Sequence, residues 1–123
     1  MLNCTIEHPG SILASAGGVV VNTGSNITIS GNNITDSSRW GIAARTNGPR
    51  AFSGSNRIIA NRILRAGQKT RDMGAISLIG EGVSGTTISG NCVSEVIGMD
   101  TDSNGIFHRP FYTFGLYLDN WAR

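Results

Sequence analysis

The sequence predicts an all-β domain over residues 1–123, built as a solenoid of about four stacked coils with parallel strands. Three observations predict it. The first is a repeat: ITISGNNIT (27–35), NRIIANRIL (56–64) and TTISGNCVS (86–94) share Asn32, Asn61 and Asn91, and Asn3 lies 29 residues before Asn32. A near-constant period of this size marks stacked supersecondary units rather than one globular weave. The second is alternation of apolar residues at every other position over short runs broken by Gly, Asn and Ser, the signature of strand and turn. The third is composition, with 39% hydrophobic and 15% charged residues, 17 Gly and only 3 Pro. Such a chain suits short strands and tight turns better than amphipathic helices.

Each repeat holds an asparagine-bearing run followed by a second strand. In the first runs Ile27, Ile29 and Ile34 alternate with polar residues, as do Ile58 and Ile63 one repeat later. The second strands are GGVVV (17–21), WGIAA (40–44), MGAISL (73–78) and FGLYL (114–118). Their inward residues are expected to be Val19 and Val21, Ile42 and Ala44, Ile76 and Leu78, Leu116 and Leu118. The stretches 67–73 and 98–113 read as loops. Coils stacked at roughly 4.8 Å set like residues above like. A ladder of Asn side chains, each bonded to the copy above and below, then explains why Asn recurs at one position. Gly31, Ala60 and Gly90 before it suit a tight turn. The asparagines thus hold the coil together and do no chemistry.

Cys4 and Cys92 fit no metal spacing and read as free, structural residues, Cys92 in a buried apolar position. The net charge of +2 is too small to imply a nucleic-acid partner. No apolar run reaches membrane-span length, and the N-terminus lacks signal-peptide regions. Eight of ten cations fall between Arg39 and Arg71, with every acid outside that window. Two readings fit this block: a solvated basic face, or attraction for an acidic polysaccharide. Neither terminus looks like a cap, so the expectation is a piece of a longer solenoid, or self-association into a homo-oligomer through exposed coil ends.

The motifs ISGNNIT, IIANRIL and ISGNCVS, each followed by a Gly- or Ala-led apolar run, resemble the right-handed parallel β-helix repeats of the pectin-lyase-like superfamily. The likeness spans essentially the whole chain and implies a right-handed single-stranded β-helix. DMGAISLIG (72–80), TTISGN (86–91) and GLYLDNWA (115–122) are similar to a pattern of bacterial β-helix glycoside hydrolases. That pattern carries over onto Asp72 and Asp119 and departs at Ser77, where it has an aromatic. It implies a carbohydrate-active module acting on polysaccharide or oligosaccharide, and a secreted or periplasmic parent. The fold itself carries several chemistries, so the resemblance bears on fold more than on activity.

Chemistry is expected where the repeat is irregular. The distance from asparagine to second strand grows from 9 (Asn32 to Gly41) to 14 (Asn61 to Ala75) to 24 (Asn91 to Gly115). The extra residues leave the coil as loops, where solenoids gather their binding surfaces. The catalytic candidates are Asp72, Asp100, Asp102, His108 and Asp119. Glycoside hydrolysis needs two carboxyls facing the sugar. Asp72 with Asp100 or Asp102 suits this better than Asp72 with Asp119, which lie roughly 23 Å apart along an extended strand unless a bend shortens it. His108 reads first as a hydrogen-bonding loop residue and second as a general acid. Trp40 and Trp121 offer ring faces for sugars, although Trp40 equally suits covering a coil edge. Arg71, Arg109 and the outward-pointing Tyr117 complete the substrate-binding set. A uronate lyase is the alternative, with Arg as base and acids holding calcium. No cofactor is expected; DTDSNG (100–105) resembles part of an EF-hand loop but lacks its terminal Glu, which leaves calcium as a minor reading. A third reading is a non-catalytic glycan-binding or structural piece.

Overall fold

The computed structural model describes residues 1–46, 48, 51–99, 104, 106 and 112–122. The described chain is all-β, with eleven strands and a single 3-10 turn at Glu81–Val83. The strands are β1 (Thr5–Glu7), β2 (Val19–Asn22), β3 (Thr28–Ser30), β4 (Asn33–Thr35), β5 (Ile42–Arg45) and β6 (Arg57–Ile59). They continue as β7 (Arg62–Leu64), β8 (Met73–Ile79), β9 (Thr87–Ser89), β10 (Cys92–Ser94) and β11 (Thr113–Asp119). They form three parallel sheets, ordered β3-β6-β9, β1-β4-β7-β10 and β2-β5-β8-β11. The chain visits the three sheets in fixed rotation, so each strand pairs with the strand three places later.

The pairing register follows the alternation. Ile29, Ile58 and Ile88 align in the first sheet, and Ile6, Ile34, Ile63 and Val93 in the second. In the third, Val19, Ile42, Ile76 and Leu116 form one row, and Val21, Ala44, Leu78 and Leu118 the next. Ile34, Ile42, Ile58, Ile63 and Met73 are fully buried, and Ile76 nearly so. Each such side chain contributes about 1.5–3 kcal/mol on burial. The inward residues expected from period two are buried in β5 and β8, while Val19 of β2 is half-buried and Leu116 and Leu118 of the last strand are half exposed or more; Ala43 and Ser77, which period two turns outward, are fully buried too.

The sequence reads as two strands per repeat, and the structure has three. Each asparagine-bearing run bends between two sheets at Gly31, Ala60 and Gly90, whose φ values are 65°, 52° and 62°. A Cβ at Gly31 would collide with Oδ1 of Asn3. Beside this corner Asn32 Nδ2 donates to Asn61 Oδ1 at 2.8 Å, and Asn61 Nδ2 to Asn91 Oδ1 at 2.9 Å.

Asn3 does not belong to that row, contrary to the expectation from spacing. Thr5 aligns with Asn33, so Asn3 aligns with Gly31 and Cys4 takes the place of Asn32. Asn3 has φ 51°, and Asn is among the few residues that tolerate this left-handed region. Cys92 also departs from expectation. It is exposed, because the strand starting after Asn91 turns its first residue outward, in line with Asn33 and Arg62.

Sequence reasoning missed a second buried amide. Asn56 accepts from the backbone N–H of Ile27 at 2.9 Å and donates to Gly24 O and Ser53 O. Its register neighbours are Ile27 and Thr86, so no repeat advertises it.

Candidate functional site

The outer face of the third sheet forms a groove of about 550 Å³. Register sets two rows behind it: Asn22, Arg45, Ile79 and Asp119 form one, and Val20, Ala43, Ser77 and Tyr117 another, in which Ala43 and Ser77 are fully buried. Arg45, Ile79, Asp119, Val20, Trp40 and Asp72 all line the groove, joined by Arg39. With neighbouring strands roughly 4.8 Å apart, Arg45 and Asp119 lie two strands apart across the floor. Asp72 and Asp119 are thus brought into one depression.

Asp72 is exposed and stands directly before β8 with φ 53°. Its Oδ1 accepts from the Tyr117 hydroxyl at 3.3 Å, and its backbone carbonyl accepts from Arg39 Nη2 at 3.4 Å. Burial pushes the Tyr117 phenol above its ordinary range, and the charges of Asp119 and Asp72 push it further, as does its hydrogen bond to Asp72. Tyr117 therefore stays a neutral donor between two carboxylates. Its ring lies 4.9 Å from that of Phe114.

Ser77, where the resemblance implies an aromatic, is buried and accepts from the Gly74 N–H at 2.9 Å. Tyr117 is its register partner on the next strand, so the aromatic of this row sits one strand further on.

Asp72 and Asp119 reach the groove from either side of Tyr117, whose hydroxyl bonds Asp72 and whose phenol feels both charges. β8 is not fully extended between them: the Ser77 hydroxyl accepts from the Gly74 N–H at 2.9 Å and donates to the Gly74 carbonyl at 3.2 Å, and a Cβ on Gly74 would meet Tyr117. The strand bends at 74–77, which shortens the roughly 23 Å of an extended chain.

Trp40 lines the groove but is only 7% exposed, and the Arg39 guanidinium covers its ring at 4.4 Å from the centroid. Arg39 Nε is itself buried without a hydrogen-bond partner. Arg71 is exposed next to Asp72, and Trp121 is 84% exposed just beyond β11; neither lines the groove. Asp100, Asp102, His108 and Arg109 lie outside the described residues. Arg39, Arg45 and Asn120 were not expected here; the register from Asp119 through Ile79, two strands across, leads to Arg45.

The basic block does not form one patch. Arg57 points out from the first sheet and Arg62 from the second, while Arg39 and Arg45 line the groove. Arg65 is paired with Asp36 through Nε at 2.6 Å and Nη2 at 3.0 Å. That pairing holds the Asp36 carboxyl below its usual value. Among the described residues no group of three His, Cys, Asp or Glu side chains is placed to hold a metal ion, and no helix is long and apolar enough to cross a membrane. No protein-family model, curated protein or solved structure matches the chain.

Proposed function

We propose that the chain is a segment of right-handed parallel β-helix of the pectin-lyase-like kind, and that its third-sheet groove takes a polysaccharide as a glycoside-hydrolase relative would. The fixed rotation through three parallel sheets and the row of asparagine amides support the solenoid and its Asn ladder. The observation that carries the functional reading is the convergence of Asp72, Asp119, Trp40 and two arginines on one open groove along a strand face. An extended groove with alternating charged and apolar walls suits a linear, polar polymer better than a compact apolar ligand.

In this reading Asp72 is the acid–base group, and the Tyr117 hydroxyl holds one of its oxygens so that the other faces the groove. Asp119, Arg45 and Asn120 grip sugar further along. For the second carboxyl of a hydrolytic pair the candidates from sequence are Asp100 and Asp102, which lie outside the described residues. The rival reading is elimination on a uronate chain, which the two groove arginines favour because they suit carboxylate-bearing sugars.

The test is a screen of neutral and uronate-containing polysaccharides with wild type and Asp72→Asn. Hydrolysis gives new reducing ends without unsaturated product, whereas a lyase gives both. Asp72→Asn is expected to lower turnover by about 10²–10⁴-fold. Activity unchanged in Asp72→Asn would remove Asp72 from the site, and binding without turnover would leave a glycan-binding module.

A further inference from the structure

A second depression opens at the corner where the chain passes from the second sheet to the third. It measures about 220 Å³ and is lined by His8, Ser11, Asp36, Ser38, Gln68 and Lys69, drawn from three successive coils. His8, Asp36 and Arg65 directly follow the aligned residues Glu7, Thr35 and Leu64, and turn the corner at φ values of 51°, 57° and 53°. Backbone bonds between coils tie the walls together. The Ser38 N–H donates to Pro9 O at 2.9 Å, and the N–H groups of Gln68 and Lys69 donate to Ser37 O and Ser38 O at 3.0 Å. The pairing of the sheets thus continues into the pocket walls.

The polar groups of this pocket are unequally engaged. Both Asp36 oxygens accept from Arg65, and His8 Nδ1 stands 3.9 Å from Oδ2. Ser38 is buried, and its hydroxyl donates to Gly10 O at 2.6 Å. Gln68 Nε2 donates to Arg65 O, which leaves Oε1 as an acceptor. Lys69 is exposed and donates one N–H to Ser11 O at 2.6 Å, so two ammonium N–H groups remain. Among the described residues no carboxylate pairs with Lys69. Two permanent cations, Arg65 and Lys69, thus stand around one carboxylate, an excess that favours an anionic group.

The pocket adjoins the groove. Ser38 lines the first, and Arg39 and Trp40 line the second; Lys69 comes three residues before Asp72, and Ser11 four before Ser15. Four residues of chain reach at most about 14 Å. On three coils, one short connection therefore carries a pocket residue at its start and a groove residue at its end. Arg39, consecutive with Ser38, stacks on Trp40 and donates to Asp72 O, which puts it at the junction.

We propose that the corner pocket is a further subsite of the groove, in which Lys69 binds the carboxylate of an acidic sugar residue next to those held at Arg39 and Asp72. The pocket is smaller than the roughly 300–1,000 Å³ of sites for drug-sized molecules, and it suits a single sugar ring. Ser38 Oγ and Gln68 Oε1 accept from ring hydroxyls, while Lys69 and His8 face the carboxylate. Neutral glycans fill the same space without the charged contact, so the subsite favours acidic chains. The inference rests on the glycan reading of the groove.

The test is titration calorimetry with oligogalacturonates of increasing length, in an Asp72→Asn background that does not cut them. Lys69→Gln should weaken binding of the long acidic chains about tenfold or more, as loss of a charge-assisted hydrogen bond does. It should leave the shortest chains that bind, and fully methyl-esterified chains, unchanged. Arg57→Gln removes the same charge from the outer face of the first sheet and should change nothing. Arg45→Gln, in the groove, should weaken long and short acidic chains alike. A loss no greater in Lys69→Gln than in Arg57→Gln would overturn the subsite and leave the groove reading in place, as would neutral chains bound in preference to acidic ones. Equal losses on the shortest and longest chains would show an isolated site for small acids and overturn the continuity. No binding of any chain, or binding indifferent to Arg45→Gln, would remove the glycan reading and the subsite with it.

Discussion

Asn61 takes part in four hydrogen bonds that no apolar side chain of its size can replace. Its Oδ1 accepts from the backbone N–H and the Nδ2 of Asn32, while its Nδ2 donates to Ile29 O and Asn91 Oδ1. Truncation strands several buried groups at once, each costing about 1–3 kcal/mol. Asn61→Ala is therefore expected to lose at least about 2 kcal/mol in urea denaturation, and Asn33→Ala, on the outer face, less than about 0.5 kcal/mol. The Asp36–Arg65 pair gives a pH signature. Arg65 lowers the Asp36 pKa chiefly through its hydrogen bonds, so the pair's stabilisation is present above the unfolded carboxyl value of 3.8 and is lost as pH falls through the lower folded value. Denaturation midpoints of wild type and Arg65→Gln should differ at pH 6 and converge near pH 2; a gap that persists in acid would assign the effect to packing instead. Asn3 shows why single residues mislead. Asn suits both an amide row and a left-handed corner, and only register tells which one it serves.

Strand register turns the repeat into a core and a groove at once. Residues at alternate positions of β5, β8 and β11 build the inner rows, and those between them build the outer face with Arg45, Tyr117 and Asp119. A one-residue slip would exchange the two sets. The core rows are also unequal along the stack. Ile63 has strands on both sides and is fully buried, whereas Leu118 belongs to the last strand and is 58% exposed. Ile63→Ala should cost about 2–5 kcal/mol by leaving a cavity among fixed neighbours. Leu118→Ala should cost much less in a dilute, monomeric sample, and similar losses for both would show the last strand to be covered under those conditions.

Over the whole molecule, the groove proposed for a glycan and the exposed apolar side chains of the last strand lie on different surfaces. The groove runs along the side of the third sheet, and the uncovered apolar face closes one end of the stack. Part of the fold was legible in the sequence: period two named the buried inner rows. The rest was not. Arg39 and Arg45 looked like part of one basic block, and the coil spreads that block over three faces because consecutive strands belong to different sheets.

The sequence by itself determined the all-β class, the repeat length and the inward residues, because local alternation and recurrence already state which face must leave water. Tertiary structure decided the rest: a third sheet from the bend at Gly31, Ala60 and Gly90, Cys4 rather than Asn3 beneath Asn32, and Asp72 joined with Tyr117 and Asp119 in one groove. These depend on register between strands some thirty residues apart. Registry is a property of paired strands, and no single repeat contains it.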